Sequence, residues 1–481
     1  MGGRDGLKYA VEQRNPDRQR VFATMTTAIG PGAGKPSEWS ATIDQLAFGL
    51  NGLEPYASGV NWPAGELRQR LFVLSAGNVP WEAWSAYPQI NYLTSIEDPG
   101  QAWNALTVGA CTHRVDVDRG NWPNAKQIAP EGGLSPASTT SLLWRNSWPI
   151  KPDVVAEGGN ATLNPQPHVS VGPESLRILT TSHRQDVSPF TESGDTSAAA
   201  AEVGRICAIL RARYPAYWEE TIRALVVHGA RFTPHMRSQL PAHHDKADIK
   251  NLLRTYGFGK VSMANSLISS EQAPTLVVQD DIVPYRSEEG QIKLNQLKLH
   301  ALPWPAQALR DLGGSNVEMR VTLSYFIEPN PSRRGWQSKF RYQSHGLRFA
   351  VKGASETEDR FNQRINKLER EEADLDGAES MSDPDRMDWE IGAQLRSRGS
   401  LHSDVWTGTA AALADKSHVA VFPVGGWWKD WNGSGRAGVS VPYSLVISIR
   451  PLDEIAAEID FYTPIQIAIA VVNGVPIEGQ P

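Results

Sequence analysis

Cysteine is scarce in this sequence, because its 481 residues include only two, Cys111 and Cys207. Two thiols cannot form a disulfide framework, which excludes a small disulfide-stapled fold and fits a reducing compartment. Long apolar runs are also missing. The residues after Met1 contain no apolar signal region, and no later run is long enough to cross a membrane. We therefore expect a cytoplasmic protein with no membrane partner.

Positive charge is not in excess either. The formal net charge is -6 at pH 7, whereas nucleic-acid backbones are bound by clustered Lys and Arg. Nucleic acid is therefore excluded as the main partner. His243 and His244 adjoin Asp245, but adjacent side chains seldom converge on one metal ion. We predict neither a metal nor a cofactor.

What the sequence does contain is enough apolar material for a packed core. Hydrophobic residues make up 40% of it, and its length suffices for two or three domains. From about residue 21 to residue 268, short apolar runs alternate with helix-like stretches, a pattern typical of an α/β domain with a parallel sheet. The predicted elements are strands over 70–77 and 105–110, and helices over 37–50 with Ser37 as N-cap, 196–215 and 216–230.

After about residue 275 the pattern changes to strand-like runs separated by Pro, Gly, Asn and Asp. Such runs predict an antiparallel β-sandwich or jelly-roll-like domain. They cover 318–329, 345–353, 416–428, 443–451 and 465–474. We therefore predict two domains, 1–275 and 276–481. The second domain is a candidate for binding a partner protein.

Two segments of the second domain differ from these strands. Residues from 356 to about 395 are highly charged and poor in apolar residues, so we interpret them as a solvated helix that runs into a flexible insertion. Residues 425–433 read GGWWKDWNG. They form either an exposed recognition loop or a hairpin tip that packs onto the sandwich, and the second interpretation is favoured.

One serine in the first domain stands where a nucleophile is often placed. Ser197, in SGDTSAAAAEVGR, lies between a glycine-containing turn and an alanine-rich run that predicts the start of a helix. A helix N-terminus favours developing negative charge. A serine hydroxyl also needs a base and donors for the oxyanion. The same small residues would equally suit a tight structural turn.

Five blocks of sequence occur in the order and approximate spacing of the subtilisin-like serine proteases, the subtilases. They are LFVLSAGN, NALTVGA, KPDVVAEGGN, GDTSAAAA and YPAYWEETIRALVVHGA, and the later YGFGKVSMANSL is similar to the segment that closes the family's catalytic domain. The resemblance covers roughly residues 18 to 270. It implies a subtilisin-like parallel sheet flanked by helices, and serine endopeptidase activity on a peptide or protein substrate.

The resemblance also implies roles for particular residues. Ser197 occupies the position of the family's nucleophile, and Asn78 that of the oxyanion-hole donor. Ser75, Ala76 and Gly77 would form one wall of the primary specificity pocket, opposite a strand over residues 23–27. Each has a structural alternative, since an Asn after Gly commonly caps a turn and small residues suit any closely packed sheet edge.

The sequence departs from the family pattern beside the serine. The family usually has Gly directly before Thr-Ser, where this chain has Asp195, and Ala201 replaces the proline common four residues after the serine. An acidic group two positions from Ser197 could perturb an oxyanion site. Asp153, in the KPDVV block, is expected to organise a loop rather than to act in acid–base chemistry.

The base is the larger departure. The family's triad runs Asp, His, Ser along the chain, and both partners should precede Asn78, yet residues 1–77 contain no histidine. The aspartates of that region, Asp5, Asp17 and Asp44, lack the family's flanking residues. The resemblance therefore implies that the peptidase domain lacks the N-terminal part that carries the catalytic Asp and His.

Three hypotheses follow. The first is the nucleophile-bearing part of a serine endopeptidase that is inactive, or nearly so, as this isolated chain. The second is a non-catalytic pseudoprotease that binds peptides or a partner. The third is one half of a split protease, whose other chain supplies Asp and His. His183 and His228 are more simply explained as packing or capping residues than as substitutes for the base.

Overall fold

The computed structural model describes residues 18–50, 68–163, 169–170, 173–267, 274–304, 306–332, 336, 338–371, 387–432 and 435–453. Its strands are β1 Val21–Thr24, β2 Leu71–Ser75, β3 Leu106–Thr112, β4 Lys126–Gln127, β5 Gly133–Leu134, β6 Val154–Glu157, β7 Thr162–Leu163, β8 Val169–Ser170, β9 Ile178–Thr181, β10 Phe190–Ser193, β11 Thr275–Ile282, β12 Tyr285–Glu288, β13 Gln291–Leu294, β14 Lys298–Ala301, β15 Asn316–Tyr325, β16 Gly346–Val351, β17 Leu401–Thr409, β18 His418–Val424 and β19 Val441–Pro451. Its α-helices are α1 Glu38–Phe48, α2 Gln89–Leu93, α3 Asp195–Arg213, α4 Glu219–His228, α5 Pro234–Ser238, α6 Lys246–Tyr256, α7 Met263–Ser266, α8 Ala306–Asp311, α9 Lys339–Tyr342, α10 Glu358–Glu371, α11 Ala393–Arg396, α12 Ala410–Ala414 and α13 Trp427–Asp430. None of these helices combines the length and the apolar composition that crossing a bilayer requires.

Two compact units divide the chain. As far as their residues are described, the first comprises 18–50, 68–215 and 229–266, and the second comprises 216–228 and 267–453. The limits 1–275 and 276–481 that the sequence suggests for the domains stay predictions.

The first unit is built on a parallel sheet. β1 pairs with β2, β2 with β3 and β3 with β6, all in parallel, while the short β5 joins the end of β3 in antiparallel orientation. Val73 of β2 pairs in register with Leu106 of β3, and Val108 of β3 pairs with Val154 of β6. This is the parallel α/β architecture that the alternating sequence pattern predicts.

Helix α1 begins where the sequence places its cap. The Ser37 Oγ accepts a hydrogen bond from the Ser40 N–H at 2.9 Å, and the Ser40 Oγ accepts one from the Ser37 N–H at 2.8 Å. This reciprocal capping satisfies two N–H groups that a helix start leaves unpaired. Gly49 then ends the helix with φ of 107°, a conformation that favours glycine. Ile43 on its buried face packs with Phe72 of β2.

Helix α3 lies close against the sheet. It contacts β1, β2, β3 and β6, and small residues such as Ala199, Ala200 and Gly204 form its buried face. A Cβ added to Gly204 would lie 3.2 Å from the Cβ of Ala23 in β1. A larger side chain here would overpack the interface at a cost of about 1–3 kcal/mol. Ala199 and Ala200 of the alanine run are thus buried, while Ala201 is exposed.

Helix α6 contributes to another part of the first unit's core. Its residues Leu252 and Tyr256 cluster with Cys111 of β3 and Val155 of β6. Burial raises the pKa of the Cys111 thiol to about 12, so this cysteine remains protonated and serves as a packing group.

The second unit is built from antiparallel sheets, as the sequence predicts. One sheet has the order β11-β19-β15-β17, a second has the order β14-β18-β16, and β12 pairs with β13 as a hairpin. Val321 in the middle of β15 pairs with Asp404 of β17 on one side and with Ile447 of β19 on the other. The strand-like run at 465–474 lies outside the described residues.

Helix α4 belongs to this second unit, where it packs on β15 and β19. All ten of its residues are buried. Even Arg223 is accommodated, because its guanidinium donates hydrogen bonds at 2.6 Å to the carbonyl oxygens of Tyr325 and Ser400. A buried charge is tolerated when its donors are satisfied in this way. The sequence pattern groups this helix with the α/β region instead.

The charged segment after β16 is helical, but part of it is core. Phe361 and Ile365 of α10 are 1% and 0% exposed and cluster with Ala420 and Phe422 of β18. The interpretation of this segment as a solvated helix is therefore wrong for its first two turns, since apolar residues four positions apart form a buried stripe. Residues 372–386 lie outside the described residues.

The tryptophan-rich segment forms the one-turn helix α13 rather than a hairpin tip. Trp427 and Trp428 are buried, and their indole N–H groups donate to the carbonyl oxygen and the Oε2 of Glu328 at 3.1 and 2.8 Å. Trp431 remains 46% exposed. The favoured interpretation, that these residues pack inward, is confirmed for the two buried tryptophans.

Candidate active site

The site is built where β2 ends and α3 begins. Asn78 follows β2 and forms an isolated antiparallel bridge with Ser138, and the next amide, Val79 N–H, donates to the Ala137 carbonyl at 2.8 Å. The carboxyl ends of parallel strands are where α/β proteins place their ligands. The loop over 134–141 therefore fixes Asn78 at the functional edge of the sheet.

A buried amide holds that loop in place. The Nδ2 of Asn91 lies 3.2, 2.9 and 2.8 Å from the carbonyl oxygens of Ser135, Pro136 and Ser138. Thr139 Oγ1 donates to the carbonyl oxygen of Ala76 at 2.9 Å. Nothing in the local sequence around Asn91 signals this role, because its acceptors lie more than forty residues further along the chain.

Thr196 connects Asn78 to the start of α3. The Asn78 Oδ1 accepts two hydrogen bonds from it, one from its N–H at 3.1 Å and one from its Oγ1 at 2.8 Å. The Thr196 Oγ1 also lies 3.1 Å from the Gly77 carbonyl oxygen. With its Oδ1 occupied, the amide of Asn78 has one orientation, in which its Nδ2 turns away from Thr196.

Ser197 follows directly as the third residue of α3 and is partly exposed. Helix geometry leaves its N–H without an intrahelical acceptor. Among the described residues, neither that N–H nor the Nδ2 of Asn78 has an acceptor within hydrogen-bonding distance. Asn78 is thus hydrogen-bonded to the residue that immediately precedes Ser197, and both of these N–H donors are free among the described residues. Such a pair can bind a developing oxyanion.

Asp195 stands in a conformation that explains the usual glycine at this position. Its φ is 65°, in the left-handed region, where Asp is among the few side chains that are tolerated. Its N–H donates to the Gly158 carbonyl at 2.7 Å, and its Oδ1 pairs with Arg177 at 3.1 Å. The acidic charge near Ser197 is therefore balanced by a guanidinium whose side chain is 10% exposed.

The residues expected to form a pocket wall are buried at the end of β2. Ser75 and Ala76 are 1% and 0% exposed, and Gly77 is buried with φ of 92°. Only their backbone can therefore meet a substrate. Thr27, in the segment expected to lie opposite, is partly exposed.

Glu97 lies against this wall and was not anticipated from the sequence. Its N–H donates to the carbonyl oxygen of Ala76 at 2.9 Å, and its Oε2 accepts a hydrogen bond from Thr27 Oγ1. The signal in the sequence is weak. Glu97 is one acid of an Ile-Glu-Asp-Pro turn, and its neighbours in space are about twenty residues or more away along the chain.

The histidines weighed as substitute bases lie elsewhere. His183 is exposed in the connection between β9 and β10. His228 is buried in the second unit, with its ring nitrogens 3.0 Å from Thr322 Oγ1 and 2.7 Å from Ser448 Oγ. It is a packing residue, as predicted. In the described parts of the chain, no histidine nitrogen lies within hydrogen-bonding distance of the Ser197 hydroxyl.

The aspartates considered from the sequence have structural roles where they are described. Asp44 is buried and accepts hydrogen bonds from the N–H groups of Trp103 and Asn104. Asp153 accepts from Thr107 N–H at 2.7 Å and from Lys151 Nζ at 2.6 Å. It therefore organises the start of β3, as predicted, while Asp5 and Asp17 lie outside the described residues.

Asp245, beside the two adjacent histidines, caps a helix. Its Oδ1 accepts from the N–H groups of Ala247 and Asp248 at 2.7 and 3.0 Å. This is ordinary N-capping of α6. Within the described residues, no group of three or more His, Cys, Asp or Glu side chains could hold a metal ion.

The chain is similar in sequence to a known protein family and to a protein of Sinorhizobium fredii. The sequence profile of the Subtilase family matches residues 5–259, more than half of the 481-residue chain. The chain is 24% identical over 372 residues to the uncharacterized protein y4bN of Sinorhizobium fredii (strain NBRC 101917 / NGR234), an alignment that covers 73% of this chain and 77% of that protein.

Among solved structures, MycP1 from the ESX-1 type VII secretion system is 16% identical, with a TM-score of 0.22 and coverage of 42% of this chain and 43% of that one. The self-cleaved protease domain of PatA is 13% identical, with a TM-score of 0.28 and coverage of 55% and 64%. This chain therefore spans less than two thirds of the length of either structure.

Proposed function

Because this chain belongs to the subtilase family, we propose that it is the nucleophile-bearing part of a serine endopeptidase that hydrolyses peptide bonds through Ser197. The Ser197 Oγ attacks the substrate carbonyl carbon. The Asn78 Nδ2 and the Ser197 N–H stabilise the oxyanion that forms. The C–N bond then breaks, and the amine leaves with the proton that a general base took from the Ser197 hydroxyl. Water hydrolyses the resulting acyl-serine ester, which releases the acid and restores the serine.

The observation that carries this proposal is the bonding of Asn78. Its Oδ1 is held by both donors of Thr196, the residue immediately before Ser197. That arrangement fixes the orientation of the Asn78 amide before any substrate arrives, and leaves its Nδ2 without an acceptor among the described residues. A preorganised donor of this kind is worth roughly a hundred- to a thousandfold in rate, whereas a turn-capping Asn would use its Oδ1 on its own loop.

The described residues include no histidine beside Ser197 that could act as its general base. We propose that an Asp–His pair reaches Ser197 from another segment or another chain, and that the chain without it is inactive or nearly so. The edge of the sheet offers a place for such a segment. Among the described residues β1 pairs with β2 alone, so no other described strand pairs with its outer edge, where a further strand could add.

Hydrolysis of an activated ester tests the proposal. The p-nitrophenyl ester of a blocked amino acid has a leaving group that departs without protonation. A base is therefore needed only to take the proton from the Ser197 hydroxyl. Imidazole in solution can supply that base. We expect imidazole to increase the rate of ester hydrolysis at least about tenfold more for the unmodified 481-residue chain than for Ser197→Ala. In the presence of imidazole, Asn78→Ala should lower the rate by roughly a hundredfold.

Ser193→Ala is the matched control, because Ser193 is partly exposed and lies only four residues before Ser197. It should hydrolyse the ester at the unmodified rate. If Ser197→Ala equals the unmodified chain with and without imidazole, Ser197 is not a nucleophile. Saturable peptide binding under those conditions would instead establish the non-catalytic pseudoprotease.

The split enzyme is a second candidate, favoured by the edge of β1 with which no other described strand pairs. The test is the intact mass and subunit composition of the protein purified from its own cells. A companion polypeptide carrying Asp and His that co-purifies and restores peptide cleavage would establish it. A single chain heavier than 52.8 kDa that carries Asp and His upstream would contradict the split enzyme. It would show instead that one polypeptide carries all three catalytic residues.

A further inference from the structure

Glu97 places a carboxylate between the two sides of the expected specificity pocket. A Cβ added to Gly77 would lie 2.6 Å from Glu97 Oε2 and 2.6 Å from its Cγ, so the Glu97 side chain covers the Gly77 wall. The same Oε2 accepts the hydrogen bond from Thr27 Oγ1. Glu97 therefore joins the end of β2 to the segment that follows β1.

This carboxylate is close to the candidate catalytic groups. Gly77 immediately precedes Asn78, and the Gly77 carbonyl oxygen lies 3.1 Å from the Oγ1 of Thr196, the neighbour of Ser197. The chain of contacts from Ser197 to Glu97 thus passes through two residues. A side chain that enters beside the oxyanion donors would approach the charge of Glu97.

The charge on Glu97 is not neutralised locally. Within the described residues, no Lys, Arg or His nitrogen lies within 4.0 Å of its carboxylate. The next residue, Asp98, adds a second acid, whose Oδ1 accepts from Ser37 Oγ at 2.6 Å and Gln101 Nε2 at 2.8 Å. Both of its partners are neutral. Glu97 therefore has no counter-charge among the described residues, while burial raises the pKa of the neighbouring Asp98 above its usual value.

A partly buried carboxylate of this kind discriminates between side chains. An arginine or lysine gains a charge-assisted hydrogen bond in an environment of lowered dielectric constant. An apolar side chain of similar size would remove water from the carboxylate and leave it unpaired, which is unfavourable. A glutamate or aspartate side chain would be repelled.

We propose that Glu97 is the specificity-determining residue of this site, and that it selects substrates with arginine or lysine at the position immediately before the scissile bond. The inference rests on the proposed function, because it assumes that the substrate chain passes Asn78 and Ser197. The Thr27 hydroxyl holds the carboxylate in place, and the backbone of residues 75–77 lines the path.

Peptide binding to the full chain tests this without requiring turnover. Four fluorescent peptides differ only at the position before the scissile bond, which carries arginine, its neutral isostere citrulline, leucine or glutamate. We expect the arginine peptide to bind about tenfold more tightly than the citrulline peptide at low ionic strength. Glu97→Gln should bring this ratio to about one, and Glu97→Lys should make a glutamate peptide the preferred ligand.

Glu174→Gln is the matched control, because Glu174 is an exposed carboxylate in the same unit. It should preserve the ratio. A salt titration of the unmodified chain provides a measurement that does not depend on any variant folding. The arginine preference should fall steeply between about 0.05 and about 1 M salt, since the Debye length shrinks from over ten to roughly 3 Å.

The outcomes separate the two levels of the argument. If the peptides bind but arginine and citrulline do so equally, the inference about Glu97 is overturned and the proposed function is unaffected. If the ratio survives in Glu97→Gln, another residue selects the charge and the inference is again overturned. If none of the peptides binds, the proposed function fails, and the specificity inference fails with it.

Discussion

Two regions of this protein differ in how their polar groups are partnered: the ion pairs in the core of the second unit, and the end of β2 in the first unit. In the second unit, buried charges are matched within the core. Arg396 pairs with Asp404 at 3.0 Å, and Arg436 pairs with Glu328 at 3.1 Å. In the first unit, the end of β2 holds donors and a carboxylate without charged partners among the described residues, namely Asn78 Nδ2, Ser197 N–H and Glu97.

This difference indicates where function resides. An unsatisfied buried polar group lowers stability, and the donors at the end of β2 are in addition grouped beside Ser197 at a helix N-terminus. The pairs Arg396–Asp404 and Arg436–Glu328 hold connections of the second unit to its sheets. The following four changes test this contrast, from the largest expected effect to the smallest.

Breaking the Arg396–Asp404 pair should have the largest effect. Asp404→Asn leaves the Arg396 guanidinium, whose side chain is 4% exposed, without its anion, at a cost of about 3–5 kcal/mol. Denaturant unfolding followed by tryptophan fluorescence would measure it. Asp415→Asn is the control, because the Arg310–Asp415 pair is 53% and 48% exposed and should contribute less than about 1 kcal/mol. Equal costs would contradict the contrast.

Acid should weaken the second unit through its buried histidines. Desolvation lowers the pKa of His345 to about 3, and that of His402 also lies well below its ordinary value. In the unfolded chain the histidine side chain has its ordinary pKa of about 6.5. Above that pH the imidazole is neutral in both states, so the stabilisation that comes from burying neutral His345 is complete. As the pH falls from about 6.5 toward 3, only the unfolded chain gains a proton at this residue. The equilibrium constant for unfolding therefore rises about tenfold for each pH unit.

The free energy of unfolding at several pH values checks this. His345→Gln should make the curve less steep between pH values of about 6 and 4. His183→Gln, which changes an exposed histidine of the first unit, should leave the steepness unchanged. A curve that His345→Gln does not alter would mean that this histidine is protonated in the folded state.

Thr196→Val should weaken the site, with a cost to folding of about 1–3 kcal/mol from the buried acceptors that lose their donor. Valine has nearly the same shape but lacks the hydroxyl that donates to Asn78 Oδ1, so the amide loses one of its two restraints. We expect about a tenfold drop in imidazole-assisted, Ser197-dependent ester hydrolysis. Thr42→Val removes a hydroxyl that donates to the Glu38 carbonyl oxygen on an exposed helix face, and should leave the rate unchanged. Equal rates for both variants would show that Thr196 does not orient Asn78.

Exchanging Asp195 should have the smallest effect. Asp195→Gly relieves a φ of 65° but removes the pair with Arg177, so the two changes should nearly cancel. Asp195→Ala loses the pair without relieving the backbone, and should be less stable than Asp195→Gly by about 1 kcal/mol. Thermal unfolding of the two variants checks this. Equal stability would mean that the left-handed conformation is not kept when aspartate is replaced.

Local patterns allowed much of the fold to be predicted. β2 and β3 are uninterrupted apolar runs, and Ser37 caps α1 as an N-cap preference indicates. The candidate site was also partly predictable, since Asn78 and Ser197 carry a family pattern and Asn78 is hydrogen-bonded to Thr196, the residue before Ser197.

The remaining features depend on contacts between distant parts of the chain. Glu97 and Asn91 have ordinary local sequences, and only the paths of β2 and of the loop over 134–141 give them their partners. Helix α4 is buried on all sides, so its sequence does not tell which sheet covers it. Phe361 and Ile365 are two apolar residues within a strongly charged stretch, and overall composition conceals such a narrow stripe.

The path of the chain through α4 has a practical consequence. The backbone leaves the first unit at residue 216, returns at 229 and leaves again at 267, so the units are interlaced along the sequence. A protease cut near residue 275 would leave α4 on the N-terminal fragment while its packing surface on β15 and β19 stays on the other. The fragments should therefore remain associated after cleavage, and a C-terminal piece expressed from residue 276 should expose the apolar strand faces that α4 covers and should aggregate.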